Sequence, residues 1–233
     1  MATSGLVSFN MDFAEVAEEA WERAGREMRS GYDITTARRS MNLLTIEWQN
    51  RGINMWTITE GSQNLTKGMT SVALSSETAG RDMVDVIEQT IVVNDGSGVQ
   101  DQNELTINRM SVSDYANITN KAAEGRPNKM YLERGTDSNV AYFWPVPDRD
   151  YTLKFWYLRR IQDAGEGNFT PDMPYRFLPC LVAGLAYYIA MKTPELSGRV
   201  MMLKEIYDEQ FEMAASEDRT KVPARFVPRI GYI

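Results

Sequence analysis

The fold is decided by two neighbouring segments, AYFWPVPDRDYTLKFWYLRRIQDAG (residues 141–165) and CLVAGLAYYIAM (residues 180–191). In the first segment, residues 140–144 and 151–158 each alternate between two sets of side chains, which is the period of a β-strand. Pro145 and Pro147 separate these two runs, and proline cannot donate a backbone hydrogen bond to a sheet. The pattern therefore predicts an aromatic-rich hairpin with both prolines at its corner.

The second segment predicts a buried helix. From Pro179 to Met191 nearly every residue is apolar or small, and a helix that is apolar on all sides must be buried on all sides. We expect it to be the central helix of a bundle. Cys180 is the only cysteine of the chain and lies in this helix, so we expect a small hydrophobic side chain rather than a reactive thiol.

Two amphipathic helices are predicted near the N-terminus. Apolar residues recur at helical spacing over residues 13–28, with glutamates on the other face, and Gly31 is expected to end this helix. Asp33 or Thr35 can cap a second helix, whose apolar seam runs through residues 34–48. A short loop would make these helices an antiparallel hairpin that can lie against the buried helix.

A last helix is predicted after Thr193-Pro194-Glu195, which supplies a cap, a proline in the first turn and an acid near the positive end of the helix dipole. One face of this helix is apolar and comprises Leu196, Val200, Leu203, Tyr207, Phe211 and Ala214. The other face is acidic and comprises Glu205, Asp208, Glu209 and Glu212. Methionines such as Met201 and Met202 suit adaptable interfaces, and core packing is the alternative.

The middle of the chain is rich in predicted strands, which fall at residues 55–59, 70–75, 83–93, 104–107 and 129–132. Residues 104–107 could pair back on 83–93 across the turn at 94–98, and Ser111 or Ser113 could cap a short helix. We therefore predict an α+β fold, in which an antiparallel helical bundle of two N-terminal and two C-terminal helices carries a β-rich insertion and an extended C-terminal tail. The predicted domains are 1–54 with 162–218 (bundle), 55–161 (insertion) and 219–233 (tail).

Composition excludes several classes of function. The 233 residues include no histidine, which removes Ser-His and Cys-His nucleophiles and most zinc and iron sites, so no metal or cofactor is expected. No apolar run reaches the roughly 20 residues of a membrane span, and the N-terminus lacks the pattern of a signal peptide. We therefore expect synthesis in the cytoplasm and no membrane partner. A net charge of −7 disfavours tight binding of nucleic acid.

The C-terminal segment RTKVPARFVPRIGYI (residues 219–233) differs in character from the rest of the chain. It carries four basic residues, two prolines and no acid, and it cannot form a helix or bury itself. A frayed chain end is one interpretation. Disordered tails are usually poor in large apolar residues, however, and this pattern suits docking of an extended segment into a groove of another chain. The candidate contact residues are Arg225, Phe226, Val227, Arg229, Ile230 and Tyr232.

Three loose motifs carry a resemblance that spans nearly the whole chain. They are Gly125-x-Pro127 before a strand, Pro145-x-Pro147 with Tyr151 in the following strand, and Pro179 at the start of a helix of small and aromatic residues. With the order of elements, they resemble the head-to-tail adaptor family of short-tailed bacteriophages, which includes the packaged-DNA-stabilisation proteins and the tail tubular protein A group.

The resemblance implies a structural virion protein at the head–tail junction. It would form a dodecameric ring between the portal protein and the tail nozzle protein, continue the DNA channel and retain packaged DNA. Residues 219–233 would extend into the portal ring. Double-stranded DNA would pass through the lumen without specific binding, and the acidic face of the last helix could line that lumen or simply face solvent.

Two other functions stay open at this point. Another phage connector or tail-completion protein would share these features and would differ in its subunit count. A carboxylate-dependent glycoside hydrolase would need an acid–base pair with one carboxyl in an apolar cleft, and Glu133 and Asp137 are the nearest candidates. Gly135 and Ser138 beside them indicate an open loop instead. A DNA-binding regulator would require a basic helix.

Overall fold

Helices and strands make up 43% and 28% of the residues that the computed structural model describes, so the predicted α+β class is confirmed. The structure describes residues 8–53, 55–74, 83–93, 103–136 and 138–218. The predicted turn at 94–98 and the C-terminal tail lie outside these ranges. By their contacts the residues group into two compact units, Met1–Met55 with Gln162–Ile233, and Trp56–Ile161. The predicted division into functional domains stays a prediction.

The secondary-structure elements of the described residues are as follows. The helices are α1 (Phe13–Ala24), α2 (Gly31–Asn50), α3 (Val112–Ala116), α4 (Leu178–Lys192) and α5 (Val200–Glu217), with short 3-10 helices at Met55–Thr57, Tyr175–Phe177 and Pro194–Arg199. The strands are β1 (Ile58–Leu65), β2 (Ser71–Leu74), β3 (Met83–Val93), β4 (Glu104–Thr106), β5 (Asn108–Arg109), β6 (Glu124–Gly125), β7 (Lys129–Arg134), β8 (Asn139–Trp144), β9 (Val146–Pro147) and β10 (Tyr151–Arg159).

In the helical unit, α4 packs against α1, α2 and α5. Ten of its 15 residues are buried, which confirms the predicted buried helix. Gly184 lies at the closest approach, where an added Cβ would meet Leu44 and Tyr207 side-chain atoms at 2.9 Å. Among the described residues, no helix combines the length and the apolar character needed to cross a membrane.

Helix ends depart from the prediction at three places. Gly31 was the wrong residue for the end of the first helix, because Gly25 adopts φ 102° there and its N–H bonds back to the last turn of α1. Asp33 and Thr35 are also wrong as caps, since Ser30 accepts the backbone N–H of Asp33. Thr193 makes no side-chain cap, because its hydroxyl donates to the carbonyl of Ile189, and α5 begins only after a 3-10 turn.

The strands of the second unit form two four-stranded sheets, in the orders β1-β10-β3-β4 and β2-β8-β7-β5. The predicted hairpin of β8 and β10 is wrong, because these strands belong to different sheets. Both prolines lie between them, but the connection forms the short strand β9, which pairs with β6 through Gly125 and Pro147. Each aromatic strand instead finds its partners far away in the sequence, β1 and β3 for β10, and β2 and β7 for β8.

Several local predictions in this unit are confirmed, with changed bounds. β3 spans Met83–Val93, and β4 pairs back on it with Thr90 opposite Thr106. Ser111 caps α3 and accepts the backbone N–H of Asp114. The strand predicted at 55–59 is wrong in extent, because its first residues form a 3-10 turn and the polar sequence up to Leu65 forms the rest of β1.

Candidate interaction surfaces

The position of α5 is fixed by a partly buried hydrogen-bond network. Trp48 Nε1–H donates to Tyr207 Oη over 3.1 Å, and Tyr207 Oη–H donates to Glu47 Oε1 over 3.2 Å. Tyr188 Oη–H donates to the other oxygen of Glu47, and Arg51 pairs with Glu47 at 2.6 Å. The network joins α2, α4 and α5 through one carboxylate, so the outer face of α5 has a defined orientation.

Burial raises the pKa of two tyrosines and the cysteine of this region. Burial is the main cause that raises the pKa of Tyr207 and of Tyr188, and the hydrogen bond to Glu47 adds to it for Tyr188. Burial also raises the pKa of the Cys180 thiol to about 12, so it is protonated at neutral pH. The buried thiol of Cys180 packs as the small hydrophobic side chain that its sequence context predicts.

The outer face of α5 combines charge with apolar surface. Its four predicted acidic residues, Glu205, Asp208, Glu209 and Glu212, are all exposed, and within the described part of the chain none has an ion pair or a hydrogen bond. Four large apolar side chains of the same helix are also exposed, namely Met201 (67%), Met202 (44%), Ile206 (40%) and Met213 (48%). The structure thus places Met201 and Met202 at the surface and not in the core. Such surface on an ordered helix is typical of an interaction site.

Of the two carboxylates considered for catalysis, the structure describes only Glu133. Glu133 lies exposed on β7, where it accepts a hydrogen bond of 2.9 Å from Tyr142 Oη, and this bond raises the pKa of Tyr142. An exposed carboxyl lacks the apolar cleft that a general acid needs. Asp137 lies outside the described residues. Among those described, no cluster of three or more His, Cys, Asp or Glu residues could hold a metal ion.

Two concave regions of the helical unit were not predicted. One is an acidic groove of about 610 Å³ along α1, lined by Glu15, Glu18, Glu19 and Glu22 together with residues 8–11. The other is a cavity of about 570 Å³ beside α2 and the end of α4, lined by three cationic side chains, Arg26, Arg39 and Lys192. The glutamates of α1 were visible in the sequence, but nothing in it brings Lys192 to Arg39, 153 positions away.

The predicted tail contacts, Arg225, Phe226, Val227, Arg229, Ile230 and Tyr232, lie outside the described residues. Of the predicted site residues, the structure therefore describes the acidic face of α5 and places its four carboxylates together. The network of Glu47 was missed because only the spacing of Glu47 and Arg51 by four residues, typical of an ion pair on a helix, is visible in the sequence.

Exposed apolar and acidic side chains on an ordered helix, as on α5, are typical of surfaces that contact other proteins. Comparison with known families identifies the class of protein to which the chain belongs. The chain belongs to the SU10 adaptor protein family, a family of phage head-to-tail adaptors, whose model matches residues 11–228. No curated protein matches the chain.

Membership confirms the resemblance to head-to-tail adaptors. The protein is a structural component of the virion that joins phage head and tail proteins, and its family is structural rather than enzymatic.

Proposed function

We propose that the protein forms a dodecameric ring between the portal protein and the tail nozzle protein, continues the DNA channel and retains packaged DNA. The observation that carries this proposal is the outer face of α5, a rigidly held helix. This face exposes both apolar side chains and acidic side chains that have no ion pair within the described residues. Copies of a ring subunit meet through two different surfaces, and exposed methionines adapt well to such contacts.

In this ring the helical unit packs side by side with its neighbours as an antiparallel bundle of two N-terminal and two C-terminal helices. Close packing of α4 with α1, α2 and α5 makes the unit stiff enough for that role. The domains of the proposal are 1–54 with 162–218 for the bundle, 55–161 for the insertion, and 219–233 for the tail.

The acidic face of α5 lines the DNA channel. DNA must slide through the lumen without binding, and basic residues would hold it because they release its counterions. Carboxylates repel phosphate instead, and the chain as a whole has a net charge of −7. The four acids on α5 have no cationic partner within the described residues, so their charge is available for this repulsion.

The C-terminal tail binds the portal ring through Arg225, Phe226, Val227, Arg229, Ile230 and Tyr232. Basic and apolar residues alternate in this segment, which suits an extended segment in a groove with an acidic rim. Deletion of 222–233 should leave a folded subunit, because the described helices and sheets all lie before this segment.

The experiment combines purified portal rings with the full-length chain and with the chain lacking 222–233, followed by sedimentation and negative-stain imaging. We expect twelve copies of the full-length chain on each portal ring and none of the truncated chain, while circular dichroism shows equal folding. A six-fold ring would favour a different phage connector or tail-completion protein. Co-sedimentation of the truncated chain with portal would refute the role of the tail.

A further inference from the structure

The cavity beside α2 concentrates positive charge on an otherwise acidic chain. Its wall contains Arg26, Arg39 and Lys192, with Asp33 and Glu195 as the acidic side chains. The Asp33 carboxylate already accepts the backbone N–H of Arg29 over 3.1 Å, and this bond lowers its pKa most. Arg26 lies 3.9 Å from Asp33, whereas neither Arg39 nor Lys192 forms an ion pair within the described residues.

Two residues of this wall carry a buried hydrogen-bond donor that has no partner among the described residues. Trp21 is only 2% exposed, and its indole N–H is buried with no acceptor among the described residues. The hydroxyl of Thr36 on α2 is also buried and has no hydrogen-bond partner among the described residues. Buried donors are nearly always satisfied in folded proteins, so two orphaned donors beside one cavity favour an acceptor at this place.

Like charges face each other in this cavity. Lys192 Nζ donates to Ser40 Oγ over 2.8 Å, and partial burial together with the nearby Arg39 guanidinium lowers the pKa of Lys192. A negative group between Arg39 and Lys192 would relieve this repulsion and raise the pKa of the lysine again. An oxyanion also accepts hydrogen bonds from an indole N–H and from a hydroxyl, the two kinds of donor left without a partner here.

The acidic groove along α1 carries carboxylates that are complementary in charge to the cationic cavity. Glu18 and Glu22 are four residues apart on one exposed face of α1, and neither has an ion pair or hydrogen bond within the described part of the chain. A closed ring built from head-to-tail contacts needs two different, complementary surfaces on every subunit. The acidic groove and the cationic cavity form such a pair of surfaces.

We propose that this cavity binds a glutamate carboxylate from α1 of a second copy of the chain, with Glu18 and Glu22 as the residues that enter it. The inference rests on the proposed ring and assigns one of its contacts between neighbouring subunits. In this contact Arg39 and Lys192 bind the carboxylate, and Trp21 fixes its orientation through the indole N–H.

The first test measures the cavity alone in the full-length chain labelled with ¹⁵N. The indole signal of Trp21, assigned with the variant Trp21→Phe, is followed during titration with a peptide of residues 11–25. We expect a saturable shift that is absent when the peptide carries Glu18→Gln and Glu22→Gln. Arg39→Gln should weaken binding about tenfold, the effect of one charge-assisted hydrogen bond, whereas the exposed control Lys204→Gln should leave it unchanged.

Two outcomes of this titration overturn the proposal. Equal shifts with the acidic and the neutral peptide, or no shift with either, mean that the cavity does not recognise carboxylates. A parallel titration with inorganic phosphate that saturates at lower concentration than the acidic peptide means that the site serves a phosphoryl group instead. Neither result depends on ring assembly, so failure here is distinct from failure of the proposed function.

The second test identifies the source of the carboxylate. Arg39 is exposed, so Arg39→Glu should leave folding intact and prevent assembly of the ring on portal. Adding Glu18→Lys and Glu22→Lys to this variant should restore the ring, because the charges are then exchanged between the two surfaces. Rings formed by Arg39→Glu alone overturn the contact, while absence of rings with the unaltered chain overturns the proposed function itself.

Discussion

The hydroxyl of Tyr207 satisfies two polar groups in the interior of the helical unit, since it accepts from Trp48 and donates to Glu47. We predict that Tyr207→Phe lowers the free energy of unfolding by about 1–3 kcal/mol, because the buried indole N–H then loses its acceptor. Urea denaturation followed by circular dichroism measures this change. The variant should also unfold with an unchanged denaturant dependence, because the fold itself is kept.

Tyr187 offers a matched control for the substitution Tyr207→Phe. Its ring stacks 6.1 Å from that of Tyr207, but its hydroxyl has no hydrogen bond within the described residues. Tyr187→Phe should therefore change the free energy of unfolding by less than about 0.5 kcal/mol. Equal destabilisation by both substitutions would show that ring packing, and not the hydroxyl network of Glu47, holds α5 in place.

At the scale of elements, α4 depends on a small residue where it meets two neighbours. Alanine is normally more stable than glycine inside a helix by about 1 kcal/mol. At Gly184 we predict the opposite sign, because the new methyl group would meet Leu44 and Tyr207 at 2.9 Å and the Tyr207 ring is held by its hydroxyl. Overpacking of this kind costs about 1–3 kcal/mol, so Gly184→Ala should destabilise the protein by up to about 2 kcal/mol in thermal or urea unfolding.

Gly198 provides the comparison for this substitution. It lies in the 3-10 turn before α5, and an added Cβ there meets no atom within 4 Å. Gly198→Ala should be neutral or slightly stabilising in the same measurement. If Gly184→Ala also stabilises, the contact of α4 with α2 and α5 is looser than the structure shows.

The sequence predicted the interior of single elements well and predicted their ends poorly. Patterns inside one element, such as the apolar run of α4 or the alternation of β3, predicted those elements correctly because burial acts on every residue of them. The ends of α1 and α2 were missed because Gly25 and Ser30 compete with Gly31 and Asp33 for the same roles. Backbone hydrogen bonds decide between such neighbours, and residue types alone do not.

The predicted hairpin of β8 and β10 was wrong because both strands pair with partners that lie far away in the sequence. Adjacent strands pair with each other in most folds, so proximity in sequence favoured that pairing. In the structure, β10 instead lies between β1 and β3, with Gly61 opposite Phe155 on one side and Gln89 on the other. The candidate sites differ in the same way. The acids of α5 were predictable because they lie on one helix, whereas the cationic cavity was not, because α2 and the end of α4 form it together.

At the scale of the whole molecule, the charge on α5 makes a prediction about DNA. A variant with all four carboxylates neutralised should bind double-stranded DNA about tenfold or more tightly at low ionic strength when assembled on portal, because repulsion of phosphate in the lumen is lost. The substitutions are Glu205→Gln, Asp208→Asn, Glu209→Gln and Glu212→Gln. Fluorescence anisotropy of labelled DNA measures the affinity across a range of salt concentrations.

If α5 lines the lumen, the affinity for DNA depends on the position of the removed charges and not on their number. Charges act over about 8–10 Å at physiological salt, so acids outside the lumen should have little influence on DNA inside it. A control variant therefore removes four exposed acids elsewhere, with Glu60→Gln, Glu88→Gln, Glu124→Gln and Glu166→Gln. It has the same net charge as the α5 variant and should bind DNA as weakly as the unaltered ring. Equal affinity of the two variants would mean that net charge alone repels DNA and that α5 faces elsewhere.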